Sequence, residues 1–239
     1  MPAAIVPLSV TWTGSLPDMD AAQLASLHPT TYHMAEDGTW PSIRERGLLS
    51  TRAIIDLYRP DEKTSATVLS SVRRTKITLA SADLGDITIR DQLPAKFLEK
   101  CMDDGVDPAD FLDALNSRVF FWVSLHRLEI LLNARPYRHL RHTVLYIDTA
   151  ALLEEYAEDV QLAPYNTGSM HVPTAPKRGP DTFADLADYP YDEWVARRGR
   201  GGEHIVELTV KYAVPDIKNF VTRVETWADG RPVELLYER

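Results

Sequence analysis

The chain has 239 residues, a net charge of −9 and 44% hydrophobic residues, values that are ordinary for one large or two small globular domains. The single cysteine, Cys101, excludes an intrachain disulfide framework and a Cys-rich metal site, and no apolar run is long enough to cross a membrane. The negative charge disfavours broad, non-specific binding to nucleic acid or anionic membranes. Since the N-terminus lacks a signal-peptide layout, the sequence predicts a cytoplasmic protein.

The first fifty residues contain a lead-in and then a strand–helix pattern. Residues 1–30 are weakly patterned, with "VPLSVTWTG" as a candidate edge strand. The run Thr31 to Met34 favours a strand, and Pro41 opens a short helix. Gly47 is well placed to end that helix in the left-handed conformation. A polar corner, Ser50-Thr51, follows it.

The middle of the chain alternates between helical and strand patterns. Residues 51–74 favour two helices separated by Pro60. Further helices are predicted at "PAKFLEKCMDD", "DPADFLDALN", "LHRLEILLNA" and "TAALLEEYAED". Strands are predicted at "KITLAS", "DITIRDQLP", "RVFFWVS" and "HTVLYID", the last two buried because they are β-branched and aromatic.

The last third begins with a predicted long loop, residues 161–180, and short helices in "TFADLADYPYDEWVARRGRGG". "EHIVELTVKYAVPDI" predicts a long strand, in which alternation puts Glu203 and Glu207 on one face. The final twenty residues predict a hairpin with Asp229-Gly230 as its turn. These patterns favour a single mixed α+β domain over residues 1–239.

Several common chemistries lack their sequence motifs. The chain has no Gly-x-Gly-x-x-Gly, no Walker loop, no Gly-x-Ser-x-Gly elbow and no His pair with zinc spacing. Cys101 is expected to be a small buried residue and not a nucleophile.

Four segments combine polar, aromatic and glycine residues that a plain core does not require. They are Tyr32-His33 with Ser50-Thr51, "LNSRVFFWVS", "NTGSMH" with the following "KRGP", and "RGRGGEHIVELTV". Glu207 is the sharpest signal among them, since a carboxylate within a strand buried on both faces is unusual.

Each of these features also has a purely structural interpretation. His33 is also consistent with a hydrogen-bonded histidine at a strand end, and Glu207 with a surface residue on a solvated face. "NTGS" is typical of a turn, "RPYRHLRH" of a solvated face, and Arg90-Asp91 of a structural ion pair.

Three segments, in the same order, resemble the DarT-like ADP-ribosyltransferases. "YHMAEDGTWPSIRERGLLS" resembles the opening of that family, where a strand ending in His, an Ile-containing helix and a Gly-Leu-Leu-Ser corner begin the NAD pocket. "VELTVKYAVPDI" resembles the late strand that carries the catalytic glutamate, and "NSRVFFWVS" the aromatic strand beside the nicotinamide. The resemblance covers about half of the chain and is strongest to a bacterial branch of the family.

The resemblance implies an α+β fold with a split, mostly antiparallel sheet, flanking helices and an NAD cleft. It implies that Glu207 is the catalytic acid/base and that His33 contacts an NAD ribose. One of Phe121 and Trp122 is expected to face the nicotinamide, since alternation allows only one of them to do so.

The remaining implied site residues divide between NAD and the acceptor. Expected contacts to NAD come from Tyr32, Ser50, Thr51 and, for the pyrophosphate, one of Arg52, Arg74 and Arg90. Expected contacts to the acceptor come from Asn166, Arg197, Arg198 and Glu203, and Glu203 is also an alternative to Glu207 as the key carboxylate.

The implied activity is NAD-dependent ADP-ribosyl transfer with release of nicotinamide and without a metal. Arginine-directed relatives need Glu or Gln two residues before the catalytic glutamate, where this chain has Ile205. A nucleobase in DNA or RNA is therefore the first expected acceptor, ahead of a small molecule or a protein, and the basic clusters at 135–142 and 197–200 favour it. By analogy, the setting would be a toxin or phage-defence enzyme with a paired antitoxin.

Three alternatives remain at the level of sequence. The first is a module that binds NAD or a partner without catalysis. The second is an NAD-dependent RNA 2′-phosphotransferase, which relies on Arg and His residues. The third is an NAD glycohydrolase.

Overall fold

In the computed structural model of the chain, residues 19–93 and 95–239 are described, and the candidate edge strand "VPLSVTWTG" lies outside them. The described residues form eight α-helices: α1 (Ala21–Leu27), α2 (Trp40–Arg46), α3 (Thr51–Tyr58), α4 (Glu62–Ser70), α5 (Pro108–Asn116), α6 (Leu125–Leu132), α7 (Thr149–Tyr156) and α8 (Tyr191–Arg198). None of these helices is long and apolar enough to span a bilayer.

The same residues form twelve strands: β1 (Thr30–Glu36), β2 (Leu48–Leu49), β3 (Ile77–Leu79), β4 (Ile87–Ile89), β5 (Arg118–Trp122), β6 (His142–Asp148), β7 (Val160–Ala163), β8 (Ala184–Asp185), β9 (Glu207–Lys211), β10 (Ala213–Val214), β11 (Val221–Ala228) and β12 (Arg231–Glu238). Eight strands form one sheet in the order β12-β11-β6-β1-β5-β9-β7-β8, with every neighbouring pair antiparallel. The chain thus has an α+β fold with flanking helices, as predicted.

The sheet opens between β1 and β5. Strand β1 pairs with β6 along its whole length, but its pairing with β5 is confined to Tyr32 opposite Trp122. Where this backbone pairing stops, two histidine imidazoles bond to carbonyls instead. His33 Nδ1 lies 2.8 Å from the carbonyl oxygen of Phe120, and His28 Nδ1 lies 3.1 Å from that of Val123. These side-chain bonds give partners to one carbonyl of β5 and to the carbonyl of Val123, just after β5, where the ladder stops.

Strand β6 is buried on both faces, as its sequence predicts. Its Leu145 and Ile147 belong to the core cluster that contains Leu152 of α7. Val144 belongs instead to the cluster that contains Leu128 of α6. Alternation along one strand therefore supplies two apolar layers, which fix helices on opposite sides of the sheet.

The helix predicted over 94–104 is wrong. The described part of that segment contains only a 3₁₀ turn at Glu99–Cys101. Its backbone groups bond to another segment: the N–H of Asp103 donates to the carbonyl of Arg178 at 2.8 Å, and the N–H of Arg178 donates to Cys101 at 2.7 Å. Backbone groups that pair with a distant loop cannot also maintain an α-helical ladder.

The strand predicted over 203–217 is also shorter than expected. Only its middle forms β9, and the chain leaves that strand at Tyr212, whose φ is 63°. Glu203 precedes the strand and forms an ion pair with Arg127. The prediction that Glu203 and Glu207 share one strand face is therefore wrong.

Several elements, among them α1 and β7, form where the sequence patterns predict none. Helix α1 lies in the lead-in, capped by Asp20, whose carboxylate accepts from the N–H of Gln23 at 2.7 Å. Strand β7 occupies the start of the predicted 161–180 loop and pairs with β9, with Gln161 opposite Thr209. The predicted terminal hairpin is confirmed, and its turn has φ of 49° and 70° at Asp229 and Gly230.

Gly47 ends α2 at a close approach of two chain segments. Its φ is +84° and ψ is −176°, a region that glycine almost alone adopts. A Cβ at this position would lie 2.3 Å from Pro215 Cα and 2.5 Å from the carbonyl oxygen of Val214. Immediately after it, β2 pairs with β10. The glycine thus permits a corner that joins the beginning of the domain to its last third.

We expect Gly47→Ala to destabilise the protein by roughly 3 kcal/mol or more, because backbone strain adds to a collision with backbone atoms. Gly38→Ala is the matched control, since Gly38 also has positive φ but a Cβ added there would meet no atom within 4 Å. That control should cost only about 1 kcal/mol. Urea unfolding measures both, and equal losses would contradict the close approach.

Candidate functional site

A cleft of ≈ 290 Å³ lies where β1 and β5 part. Strands β1, β5 and β9 contribute His33, Arg118 and Glu207 to its lining, and connecting segments contribute Arg73 and Thr167. The divergence of two neighbouring strands thus creates a concave site within the sheet, where ligand sites commonly occur.

Seven of the residues predicted from sequence line this one cleft. They are His33, Thr51, Arg90, Phe121, Trp122, Asn166 and Glu207. Both Phe121 and Trp122 line the cleft, so the prediction that only one of them does is wrong. The structure therefore brings together residues separated by up to 174 positions in the chain (from His33 to Glu207).

Three predicted NAD contacts lie outside the cleft lining and have structural partners. The ring of Tyr32 packs edge-on against Tyr146 at 5.2 Å. The hydroxyl of Ser50 caps α3 by accepting from the N–H of Ala53 at 3.1 Å. Arg52 forms an ion pair with Asp113 at the surface.

A fourth, Arg74, is exposed, and its neighbour Arg73 enters the cleft instead. Arg90 does not form the structural ion pair with Asp91 that was its alternative interpretation. It lies 3.6 Å from the carboxylate of Glu36, while Asp91 accepts a hydrogen bond from the Tyr137 hydroxyl at 3.1 Å.

The predicted acceptor contacts in the 197–203 segment also lie outside the cleft. Arg197 pairs with Glu193 at 3.2 Å along α8. Arg198 donates to the carbonyl oxygens of Pro164 and Glu203, both at 2.6 Å. Arg198 thus contacts the segment before β9, and none of these side chains lines the cleft.

Glu207 opens β9 and lies between β5 and β7, opposite Trp122 and Ala163. Its side chain is only 4% exposed. One carboxylate oxygen, Oε2, accepts from the backbone N–H of Thr167 at 3.1 Å and from its hydroxyl at 2.7 Å. Burial raises the pKa of Glu207 to about 7, although these bonds and the charges of Arg178 and Arg127 oppose the rise. Near neutral pH this carboxyl therefore both takes up and releases a proton.

His33 is half-buried and is neutral near pH 7. Burial lowers its pKa to about 4, against the opposing effect of its bond to Phe120. A carbonyl can only accept, so Nδ1 carries the proton and Nε2 is left as an acceptor. The ring also packs against Phe121, with centroids 5.8 Å apart. Nε2 of His33 can thus accept a hydrogen bond from the hydroxyl group of a ligand in the cleft.

Two guanidinium groups in the lining were missed from the sequence. Arg73 is 8% exposed and donates to the carbonyls of Arg90 and Val68 and to Asn116 Oδ1, at 2.7 to 2.9 Å. Burial lowers its pKa to about 10, so it stays charged at neutral pH.

Arg118 donates to Gln161 Oε1 at 2.6 and 2.9 Å and lies over the ring of Phe183 at 4.2 Å. Across residues 19–93 and 95–239, neither Arg73 nor Arg118 has a carboxylate within ion-pair distance. The one available signal was a charge at the first position of the apolar run "RVFFWVS". Desolvated cations without anionic partners favour an anionic ligand.

The donor set of the cleft suits organic anions better than metal ions. Within the described residues, no group of three His, Cys, Asp or Glu side chains is arranged to hold a metal. What the cleft offers is a carboxyl that titrates near neutrality, a neutral imidazole acceptor and partly desolvated guanidinium groups.

The raised pKa of Glu207 predicts a pH-dependent stability. Folding favours the protonated carboxyl of Glu207. The contribution of this group to the free energy of unfolding is therefore fully present below pH 4.5 and is lost as the pH rises through about 7. Glu207→Gln lacks this titration. Relative to the free energy of unfolding of the wild type, that of the variant should rise by about 3 kcal/mol between pH 4.5 and pH 8. Urea unfolding at each pH measures both.

His33 titrates in the opposite sense, because its lowered pKa removes stability as the pH falls from 6.5 to about 4. Both proteins contain His33, so their difference isolates Glu207. Parallel stability curves for the two proteins would contradict a raised pKa at Glu207.

No curated protein matches the chain. One family model, described as "Family of unknown function (DUF7002)", matches residues 29–221. The matched region runs from the start of β1 to the start of β11 and includes every cleft residue named above. Because the match spans most of the sequence, the chain belongs to the DUF7002 family.

Proposed function

We propose that this protein transfers ADP-ribose from NAD to an acceptor and releases nicotinamide. One observation carries the proposal. A single cleft combines Glu207, a buried carboxyl with a pKa of about 7, with the guanidinium groups of Arg73 and Arg118, which have no ion-pair partner among the described residues. The resemblance of three segments to DarT-like transferases, noted from the sequence, supports the same activity.

The lining suits the pyrophosphate, a ribose and the nicotinamide of a dinucleotide substrate. The pyrophosphate supplies the anionic partner that Arg73 and Arg118 lack among the described residues. The planar guanidinium group also matches the geometry of phosphate oxygens. The free Nε2 of His33 can accept from a ribose hydroxyl. The aromatic side chains of Phe121 and Trp122 offer apolar surface for the nicotinamide ring.

The reaction needs a negative charge beside the ribose. As the bond between C1′ and the nicotinamide nitrogen breaks, nicotinamide leaves with the bonding electron pair and positive charge develops on the ribose. Ionised Glu207 stabilises that charge. A lone pair of the acceptor then forms the new bond to C1′, and the acceptor proton passes to Glu207 and on to solvent. A pKa of about 7 suits both tasks at neutral pH.

A nucleobase is the proposed acceptor. Ile205 replaces the second acidic or amide residue of arginine-directed enzymes. Of the two basic clusters, the one at 135–142 borders the cleft through Tyr137, whereas Arg197 lies outside the lining. We place the activity in the cytoplasm, in a toxin or defence setting with a paired antitoxin, by analogy with the resembling family.

We expect Glu207→Gln to reduce nicotinamide release by about 100-fold or more, because the amide cannot stabilise positive charge or accept the proton. Glu225→Gln is the matched control, since Glu225 is equally buried but accepts from Tyr146 and Trp227 outside the cleft. Chromatography of NAD incubated with each purified protein measures the release, alone and with single-stranded DNA, RNA or cell lysate.

The other outcomes separate the competing functions. Absence of both release and NAD binding would overturn the proposal. Stoichiometric NAD binding without turnover would identify a binding module, and release with no modified acceptor a glycohydrolase. Activity on 2′-phosphorylated RNA that survives Glu207→Gln would identify a phosphotransferase.

A further inference from the structure

Glu207 is held by only one of its two carboxylate oxygens. Both hydrogen bonds from Thr167 end on Oε2, and no described residue donates to Oε1. Because the side chain lines the cleft, the second oxygen is the one available to a substrate. The position of that oxygen therefore depends on how firmly Thr167 is fixed.

Thr167 lies in an irregular turn, residues 166–169, without a strand or helix to fix it. The only backbone bond within the turn joins the N–H of Ser169 to the carbonyl of Asn166 at 3.2 Å. The carbonyls of Thr167 and Ser169 accept no backbone N–H from the described residues and need other partners, since an unpaired carbonyl away from water is costly.

Arg178 supplies those partners. Its Nε donates to the carbonyl of Thr167 at 3.0 Å, and its Nη2 donates to those of Asn166 and Ser169, both at 3.1 Å. The guanidinium also lies 4.3 Å from the centre of the Tyr165 ring. One planar group thus gathers three carbonyls of a single turn, which a lysine ammonium cannot match in geometry.

Arg178 is fully buried, which is rare for an arginine without a charged partner. Its side chain is 0% exposed, and in the two described stretches no carboxylate lies within ion-pair distance of it. Glu207 is one of the anionic groups that favour its charged form, and Arg178 in turn favours ionised Glu207. The two buried groups are therefore coupled through Thr167.

We infer that Arg178 is a positioning residue, which acts through Thr167 to aim the carboxylate of Glu207 into the cleft and to set its proton affinity. The catalytic consequence rests on the proposed function, but the effect on Glu207 does not. In this arrangement Thr167 fixes one oxygen and Arg178 fixes Thr167.

The test is the pKa of Glu207 itself, followed by ¹³C NMR of protein labelled at glutamate carboxyls, with the signal assigned by its loss in Glu207→Gln. Thr167→Val removes the hydroxyl donor and keeps the shape of the side chain. We expect it to move the Glu207 titration upward by roughly one pH unit, since a donor to a carboxylate stabilises the ionised form. Thr167→Ser keeps the hydroxyl and should restore the original midpoint.

Thr209→Val is the matched control. Thr209 is also a fully buried threonine, and its hydroxyl donates to the carbonyl of Gln161 at 3.1 Å, not to Glu207. Its loss should leave the Glu207 midpoint unchanged. Arg178→Lys keeps the charge but loses the planar fork, and we expect it to raise the midpoint as Thr167→Val does.

The outcomes distinguish this inference from the proposed function. A shifted midpoint in Thr167→Val and Arg178→Lys, in a protein that never releases nicotinamide, would support positioning and overturn the transferase. An unchanged midpoint in both folded variants would overturn positioning, whatever the activity. If nicotinamide is released, the midpoint of its pH–rate profile should move upward in these variants together with the Glu207 midpoint.

Discussion

The hydrogen bond between His33 and the carbonyl of Phe120 lets this sheet be both continuous and open. Strands β1 and β5 pair at one position only, and a plain gap there would leave buried carbonyls without partners. The imidazole fills that role at 2.8 Å, and because it is neutral it adds no buried charge. Since His33 also lines the space that results, the residue that completes the sheet also contributes to the cleft.

The electrostatics of the cleft run against those of the whole chain. The protein carries a net charge of −9, yet its cleft contains the guanidinium groups of Arg73, Arg90 and Arg118. Acidic surroundings discourage indiscriminate binding of polyanions, whereas desolvated cations in a concavity bind a small anion strongly. Glu207 needs the same enclosure, because desolvation is what raises its pKa.

Much of the fold was readable from local patterns. The buried strand at 142–148, the stop at Gly47 and the turn at Asp229-Gly230 each express a rule of local conformation. The helix predicted over 94–104 was wrong because the backbone of this segment pairs with a distant loop, and no local pattern encodes such a pairing. Glu207 and His33 were identified as site residues, but Arg73 was not, and Arg118 and Arg178 stood only within the segments "LNSRVFFWVS" and "KRGP". Sequence alone cannot tell a buried arginine from a solvated one.

The order of strands in the sheet has a consequence for synthesis of the protein. Strand β5 pairs with β1 on one side and with β9 on the other, so the cleft combines side chains that lie 174 positions apart in the chain. A chain still emerging from the ribosome has His33 but lacks Glu207 until most of the domain has been translated. Such long-range pairing forms late and slowly. The nascent chain therefore cannot assemble all the cleft residues before β9 has left the ribosome.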